Sequence, residues 1–169
     1  MNSKLSVPGI RKNRKYTQFA VYFFILLLVF QLVTHISLFT EALTFLTTQI
    51  TYQVIKLFYP YTTLRGFHIL CGIDMEIIYE CTGIYGIIVF ASAVLASWYP
   101  FWERCKALLL GIPIIYLLNL LRLVTIFMVS QLNPTLFDFM HTYFWQLFLL
   151  FFVVYLFYDW FQKMQKKYP

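Results

Sequence analysis

The stretch Ala107–Ser130, "ALLLGIPIIYLLNLLRLVTIFMVS", decides the fold class of this chain. Arg122 is the one charged residue in it. A helix that crosses a membrane needs about 20 predominantly apolar residues, and this stretch is longer than that. It therefore predicts a membrane-spanning helix.

Three further runs of the chain are apolar over similar lengths. They lie at roughly 18–39, 83–99 and 143–161, and the second, which ends at Pro100, is the shortest. Across all 169 residues, 61% are hydrophobic and only 12% are charged. Soluble domains are about half apolar and about a quarter charged. We therefore expect a single all-α membrane domain over residues 1–169, with about four transmembrane helices.

The distribution of Lys and Arg predicts how the chain crosses the membrane. If the four runs span, ten of the thirteen basic residues fall on one side: Lys4, Arg11, Lys12, Arg14, Lys15, Arg104, Lys106, Lys163, Lys166 and Lys167. Basic residues concentrate on the cytoplasmic side of membrane proteins. Both termini are therefore expected in the cytoplasm, and the segment 40–82 outside the cell membrane. Because the basic residues lie in short flanks of apolar runs, the expected partner is the lipid bilayer and not nucleic acid.

The segment 40–82 has two different halves. In the first half, apolar residues recur at helical intervals among Thr and Gln: Leu43, Leu46, Ile50, Val54 and Leu57. This pattern predicts an amphipathic helix that lies along the outer surface with those residues on one face, or an outward continuation of the first span, ending at Tyr59-Pro60. In the second half, stretches rich in Phe, Ile and Tyr flank Cys71-Gly72 and indicate a two-stranded hairpin.

A cation lies well inside the third run, at Arg122. It stands eight residues before Ser130, which places its Cα on the order of 12 Å below the outer end of a helix. Asn119 lies three residues earlier, on the same helix face. Arg inside a span is rare and costs roughly 2.5–3.5 kcal/mol on insertion scales. Two interpretations stay open: a role in lining a site, and a structural contact between helices.

Cys81 opens the second run, between Glu80 and Thr82. A helix start favours a thiolate, whereas the neighbouring carboxylate opposes it, so a cation such as Arg122 would be needed nearby. We expect Thr82 to cap free amides of the helix, and Gly83 and Gly86 to leave room for a close backbone approach. Outside the membrane, a disulfide between Cys81 and Cys71 is an open alternative.

His141 opens the fourth run, and Asp138 precedes it by three residues. Imidazole titrates near neutral pH and serves as a general acid or base. A helix at this point would bring the carboxylate within reach of the ring. The other interpretation is an ordinary histidine in the aromatic belt of a membrane protein.

Cys81, Arg122 and His141 are all predicted near the outer ends of neighbouring spans. Acyl transfer from an amide needs a thiolate that attacks, a fixed cation that stabilises the oxyanion, and an imidazole that protonates the leaving amine. The sequence has no phosphate loop, no zinc-type His/Cys spacing and no acidic pair inside the runs. No cofactor or metal is therefore expected, and Cys105, in a predicted cytoplasmic loop, is expected to have no role.

The order of these motifs resembles the exosortase/archaeosortase family. "CTGI" at 81–84 is similar to its Cys-[Ser/Thr]-Gly-Ile motif, and "NLLR" at 119–122 to its Asn-x-x-Arg motif, with His141 as the downstream histidine. The resemblance implies a membrane cysteine transpeptidase whose catalytic residues are Cys81, Arg122 and His141. Many members have eight spans, so this chain resembles a compact member.

The resemblance also implies substrates and partners. They are exported proteins ending in a short motif, an apolar span and a basic tail, of which PEP-CTERM proteins are the known type. Cleavage would form a thioester at Cys81, which an unidentified acceptor nucleophile resolves. Two alternatives are a thiol–disulfide oxidoreductase that uses Cys71 and Cys81, and a non-enzymatic assembly or transport subunit.

Overall fold

The computed structural model describes residues 8–34, 37–133 and 135–169. Six helices carry the fold: α1 Pro8–Val33, α2 Ser37–Phe58, α3 Ile84–Ala96, α4 Phe101–Leu132, α5 Thr135–Asp138 and α6 Trp145–Lys167. Between α2 and α3 lie three strands and a 3₁₀ turn: β1 Thr63–Arg65, β2 His68–Cys71, β3 Ile73–Glu76 and the turn Tyr79–Thr82. A π-helical segment, Phe139–Phe144, joins α5 to α6. The prediction of an all-α membrane protein is confirmed, and a small sheet accompanies its helices. The position of this sheet outside the membrane stays a prediction.

Three helical stretches among the described residues are long and apolar enough to cross a membrane: Arg14–Val33, Phe101–Leu132 and Phe139–Lys167. The predicted span at 83–99 is shorter in the structure, because α3 has 13 residues and Ser97 leaves it in an extended conformation. At 1.5 Å per residue, α3 is about 20 Å long, against a hydrocarbon core of about 30 Å. The count of four spans therefore stays a prediction.

α3 lies at the centre of the helix packing and contacts α1, α4 and α6. Phe90, in the middle of α3, is 1% exposed and packs with Val94, Ile115 and Val153. A Cβ added to Gly111 would lie 2.2 Å from Phe90 Cε1, so α4 approaches α3 closely only because residue 111 is a glycine. This contact fixes how closely α3 and α4 approach each other, and both helices line the candidate site described below.

α2 is a separate helix, and mostly threonines, not its predicted apolar face, pack against the rest of the protein. The side chains that pack inward are Thr44, Thr47, Thr48, Thr51 and Ile55, whereas Leu46 and Leu57 are exposed. The hydroxyls of Thr44 and Thr48 donate to the carbonyls four residues earlier. A threonine bonded in this way has no need of an outside partner, so its methyl group can pack against the 3₁₀ turn and α4, which α2 contacts.

The predicted hairpin is part of a three-stranded antiparallel sheet, in the order β1-β2-β3. The additional strand β1 pairs Leu64 with Ile69, which also pairs with Met75 on β3 and is fully buried. The Gln131 side chain donates to the Cys71 carbonyl, which ties the β2–β3 turn to the last turn of α4. The sheet thereby fixes the chain that leads into the 3₁₀ turn.

Candidate active site

The sequence around Cys81 folds into a tight turn. Cys81 lies in the 3₁₀ turn, and its amide donates to the Ile78 carbonyl at 2.9 Å. Gly83 follows with φ 78°, which ends the turn and begins α3. The Thr82 hydroxyl donates to the Tyr79 carbonyl at 2.7 Å, and the N-cap residue of α3 is Gly83, which has no side chain. The predicted capping role of Thr82 is therefore wrong, and this hydroxyl stabilises the 3₁₀ turn instead.

Asn119 holds this turn against α4. Its Nδ2 donates to the Cys81 carbonyl at 2.7 Å, and its side chain is fully buried. A Cβ at Gly83 would lie 2.8 Å from Asn119 Cγ. Such a contact is too short for any residue other than glycine, so Gly83 is required both by its positive φ and by the approach of Asn119.

Arg122 lies one turn beyond Asn119 on the same face of α4. It is 6% exposed, and its Nε is buried with no hydrogen-bond partner among the residues that the structure describes. A buried N–H without a partner is unfavourable by about 1–3 kcal/mol. The guanidinium therefore has at least one donor available to an oxygen atom that enters the site.

His141 belongs to the π-helical segment, a rare geometry that is frequent at functional sites. Its ring stacks on that of Phe137, with centroids 5.4 Å apart and an interplanar angle of 5°. Asp138 ends α5, and its side chain lies outside the part of the structure that is described. Its predicted contact with His141 therefore stays a prediction.

One cavity of about 300 Å³ brings the candidate residues together. Its polar lining includes Glu80, Cys81, Tyr85, Asn119, Arg122, His141 and Gln146. Its apolar walls come from α3, α4 and α6, including Val89, Ile115, Leu149, Leu150 and Val153. A nucleophile, a cation and an imidazole therefore share one cavity with a largely apolar wall.

The thiol of Cys81 is less acidic than its position at a turn would suggest. Burial raises the pKa of Cys81 above its ordinary value, and the Glu80 carboxylate adds to this. A backbone hydrogen bond at Ile78 and the charge of Arg122 act in the opposite direction, but burial is the largest effect and the pKa of Cys81 stays raised. The expected thiolate is therefore not the resting form at neutral pH, and attack by this sulfur needs a base.

Two lining residues that carry polar groups, Tyr85 and Gln146, were not singled out in the sequence. Gln146 lies five residues after His141, so in a regular α-helix the two would be about 140° apart. The π-helical segment between them changes that rotation, and both side chains reach the same cavity. The sequence feature that could have indicated Gln146 is its polar side chain near the start of the last apolar run.

The family model of the transmembrane exosortases matches residues 5–158 of this chain. The chain belongs to the transmembrane exosortase family. The match includes Cys81, Arg122 and His141, and membership of this family indicates a membrane transpeptidase-type role. Comparison with curated proteins and with solved structures gave no match.

Of the two other cysteines, Cys71 ends β2 and packs against the core cluster that contains Cys81. Both thiols are free in the structure. Cys105 lies near the start of α4 and is half-buried, in a helix and not in the predicted loop. Neither Cys71 nor Cys105 lines the cavity of Cys81.

Proposed function

We propose that this exosortase family member cleaves the C-terminal sorting tails of exported proteins at the outer face of the cell membrane. The substrates are proteins ending in a short motif, an apolar span and a basic tail. Cys81, Arg122 and His141 line one cavity, and this shared position is the observation that supports the assignment. The apolar wall formed by Leu149, Leu150 and Val153 suits the apolar part of such a tail.

The first half-reaction forms a thioester. His141 accepts the proton of the Cys81 thiol, and the sulfur attacks the carbonyl carbon of the scissile peptide bond. The carbonyl oxygen becomes an oxyanion, which accepts hydrogen bonds from the Arg122 guanidinium. When the C–N bond breaks, the leaving amine takes the proton from His141, and the released tail departs.

The second half-reaction resolves the thioester. An acceptor amine loses a proton to His141 and attacks the thioester carbonyl. The new amide forms as the C–S bond breaks, and the Cys81 sulfur takes back a proton. If water attacks in place of the amine, the product is a free carboxylate and the reaction is hydrolysis. Asn119 acts as a positioning residue, because it holds the Cys81 backbone and does not touch the reacting atoms.

Co-expression with a reporter tests the proposal. The reporter carries a C-terminal motif, an apolar span and a basic tail, and shortening of the reporter is followed on gels. We expect Cys81→Ala to abolish processing and to remove an acyl-enzyme that hydroxylamine releases. Cys105→Ala is the matched control, because it removes a half-buried thiol that lies outside the cavity. Unchanged processing by Cys81→Ala, Arg122→Gln and His141→Ala would overturn the proposal.

Substitution of Cys71 distinguishes a thiol–disulfide oxidoreductase from a transpeptidase. A thiol–disulfide oxidoreductase would need both cysteines, so Cys71→Ala would abolish its activity as Cys81→Ala does. A transpeptidase with Cys81 as its nucleophile retains processing in Cys71→Ala. A non-enzymatic subunit would show no acyl-enzyme in any variant.

A further inference from the structure

A second cavity, of about 380 Å³, lies away from Cys81, between α1 and the connection from α3 to α4. None of the residues discussed for catalysis lines it. Its lining includes Lys15, Gln18, Phe19, Tyr22, Ile25, Leu26, Trp98 and Arg104. The predicted topology puts this end of the helices at the cytoplasmic side of the membrane.

Two cations lie at the polar end of this cavity. Arg104 Nη1 donates to the Leu95 carbonyl at 2.9 Å, which holds the guanidinium in place. Its Nε is buried and has no hydrogen-bond partner within the described part of the chain. The Lys15 ammonium lies 5.9 Å from the centroid of the Trp98 ring. Among the described residues, no carboxylate lines the cavity or forms an ion pair with Lys15 or Arg104.

The cavity becomes apolar along α1. Ile25 lies ten residues beyond Lys15, which is about 15 Å along a helix. Tyr22 is 56% exposed and Ile25 is 50% exposed, so the cavity continues onto an exposed face of α1, a helix long and apolar enough to cross a membrane. A ligand that fits has an anionic group at one end and a hydrocarbon chain at the other.

We propose that this cavity binds an anionic phospholipid. The phosphate interacts with the charged guanidinium of Arg104 and with the Lys15 ammonium, while an acyl chain lies along Tyr22 and Ile25. The positive charges of Lys15 and Arg104 favour an anionic phospholipid over a basic protein tail or a zwitterionic lipid. The basic tail of a protein substrate would be repelled by both cations, and a zwitterionic lipid brings a positive group that cancels the attraction.

Native mass spectrometry of the full chain tests the proposal. The protein in detergent is mixed with equal amounts of phosphatidylglycerol and phosphatidylcholine. The ratio of bound lipids is then measured on protein released from the detergent. We expect a preference for phosphatidylglycerol. Arg104→Gln and Lys15→Gln should each reduce it about fivefold, since one cation contributes about 1 kcal/mol to such binding. Lys15 is exposed, so its substitution keeps the fold even if that of Arg104 does not.

Lys166→Gln is the matched control, because Lys166 is an exposed cation at the same predicted membrane side and outside this cavity. It should leave the lipid ratio unchanged. Equal losses in Lys166→Gln and Lys15→Gln would show unspecific surface charge and overturn the proposal. An unchanged ratio in Lys15→Gln and Arg104→Gln would also overturn it. Binding of inorganic phosphate with no preference between the two lipids would assign the site to a free anion and overturn the lipid assignment.

Discussion

Asn119 Nδ2 lies 2.7 Å from the carbonyl oxygen of Cys81, and this hydrogen bond joins α4 to the turn that carries the candidate nucleophile. Both groups are buried, so neither can turn to water when the bond is lost. Asn119 Oδ1 is also buried without a partner among the described residues, which leaves the Nδ2 bond as the one that holds the side chain.

We expect Asn119→Ala to lower the free energy of unfolding by about 1–3 kcal/mol, because the Cys81 carbonyl is left buried and unpaired. Denaturation in detergent measures this. Thr125→Ala is the control on the same helix, since the Thr125 hydroxyl donates only to the Leu121 carbonyl within α4. It should change stability by far less. Equal losses in the two variants would contradict the role of the Asn119–Cys81 bond.

Gly83→Ala should be destabilising for two reasons, a positive φ and a Cβ that would lie 2.8 Å from Asn119 Cγ. Gly66→Ala separates them, because Gly66 has φ 61° but nothing within 4 Å of the added Cβ. The conformational part is about 1–2 kcal/mol at either position. Unfolding measurements should give a larger loss for Gly83→Ala, together with lost tail processing. A loss no larger than that of Gly66→Ala would show that Asn119 moves aside.

The reactivity of Cys81 should depend on pH through its raised pKa, which is set mainly by burial and to which the Glu80 charge contributes. Because burial and Glu80 raise the pKa of Cys81, the thiolate fraction at neutral pH is small. In a background of Cys71→Ser and Cys105→Ser, alkylation by N-ethylmaleimide should rise about tenfold per pH unit until the thiol pKa is reached. Glu80→Gln removes a negative charge, lowers that pKa and shifts the profile to lower pH.

Glu76→Gln is the control for this profile, since Glu76 is an exposed carboxylate on β3 that lies 4.0 Å from His68. It should leave the profile of Cys81 where it is. A shift to higher pH in Glu80→Gln, or equal shifts in both variants, would contradict the assigned direction.

The ring of Phe137 should position the imidazole of His141, on which it stacks. An aromatic pair of this kind contributes about 0.5–1.5 kcal/mol, so Phe137→Ala should slow tail processing by up to about tenfold. Phe137→Tyr keeps the stack and should restore the rate. Phe139→Ala is the control, because Phe139 packs on Tyr143, and neither lines the cavity. Normal processing by Phe137→Ala would show that the stack is not needed.

The meeting of Cys81, Arg122 and His141 could be predicted, because each stands near the same end of an apolar run and neighbouring runs pack together. The buried face of α2 could not. Apolar periodicity identifies an inward face only where the outward face meets water, and Leu46 and Leu57 point outward here. The contribution of Gln146 to the cavity could not be predicted either. A π-helical turn changes the direction in which later side chains of the helix point, and no residue type marks such a turn in the sequence.

The contact between Gly83 and Asn119 constrains the turn of the candidate nucleophile because it leaves no space for a side chain at residue 83, and not because the two residues attract each other. An attractive contact weakens gradually as one side chain replaces another, and neighbouring groups can compensate for part of the loss. A space smaller than a methyl group admits one residue type and allows no gradual change. The space beside Asn119 therefore restricts residue 83 to glycine. The identity of residue 83 depends in this way on residue 119, although 36 positions separate them in the chain.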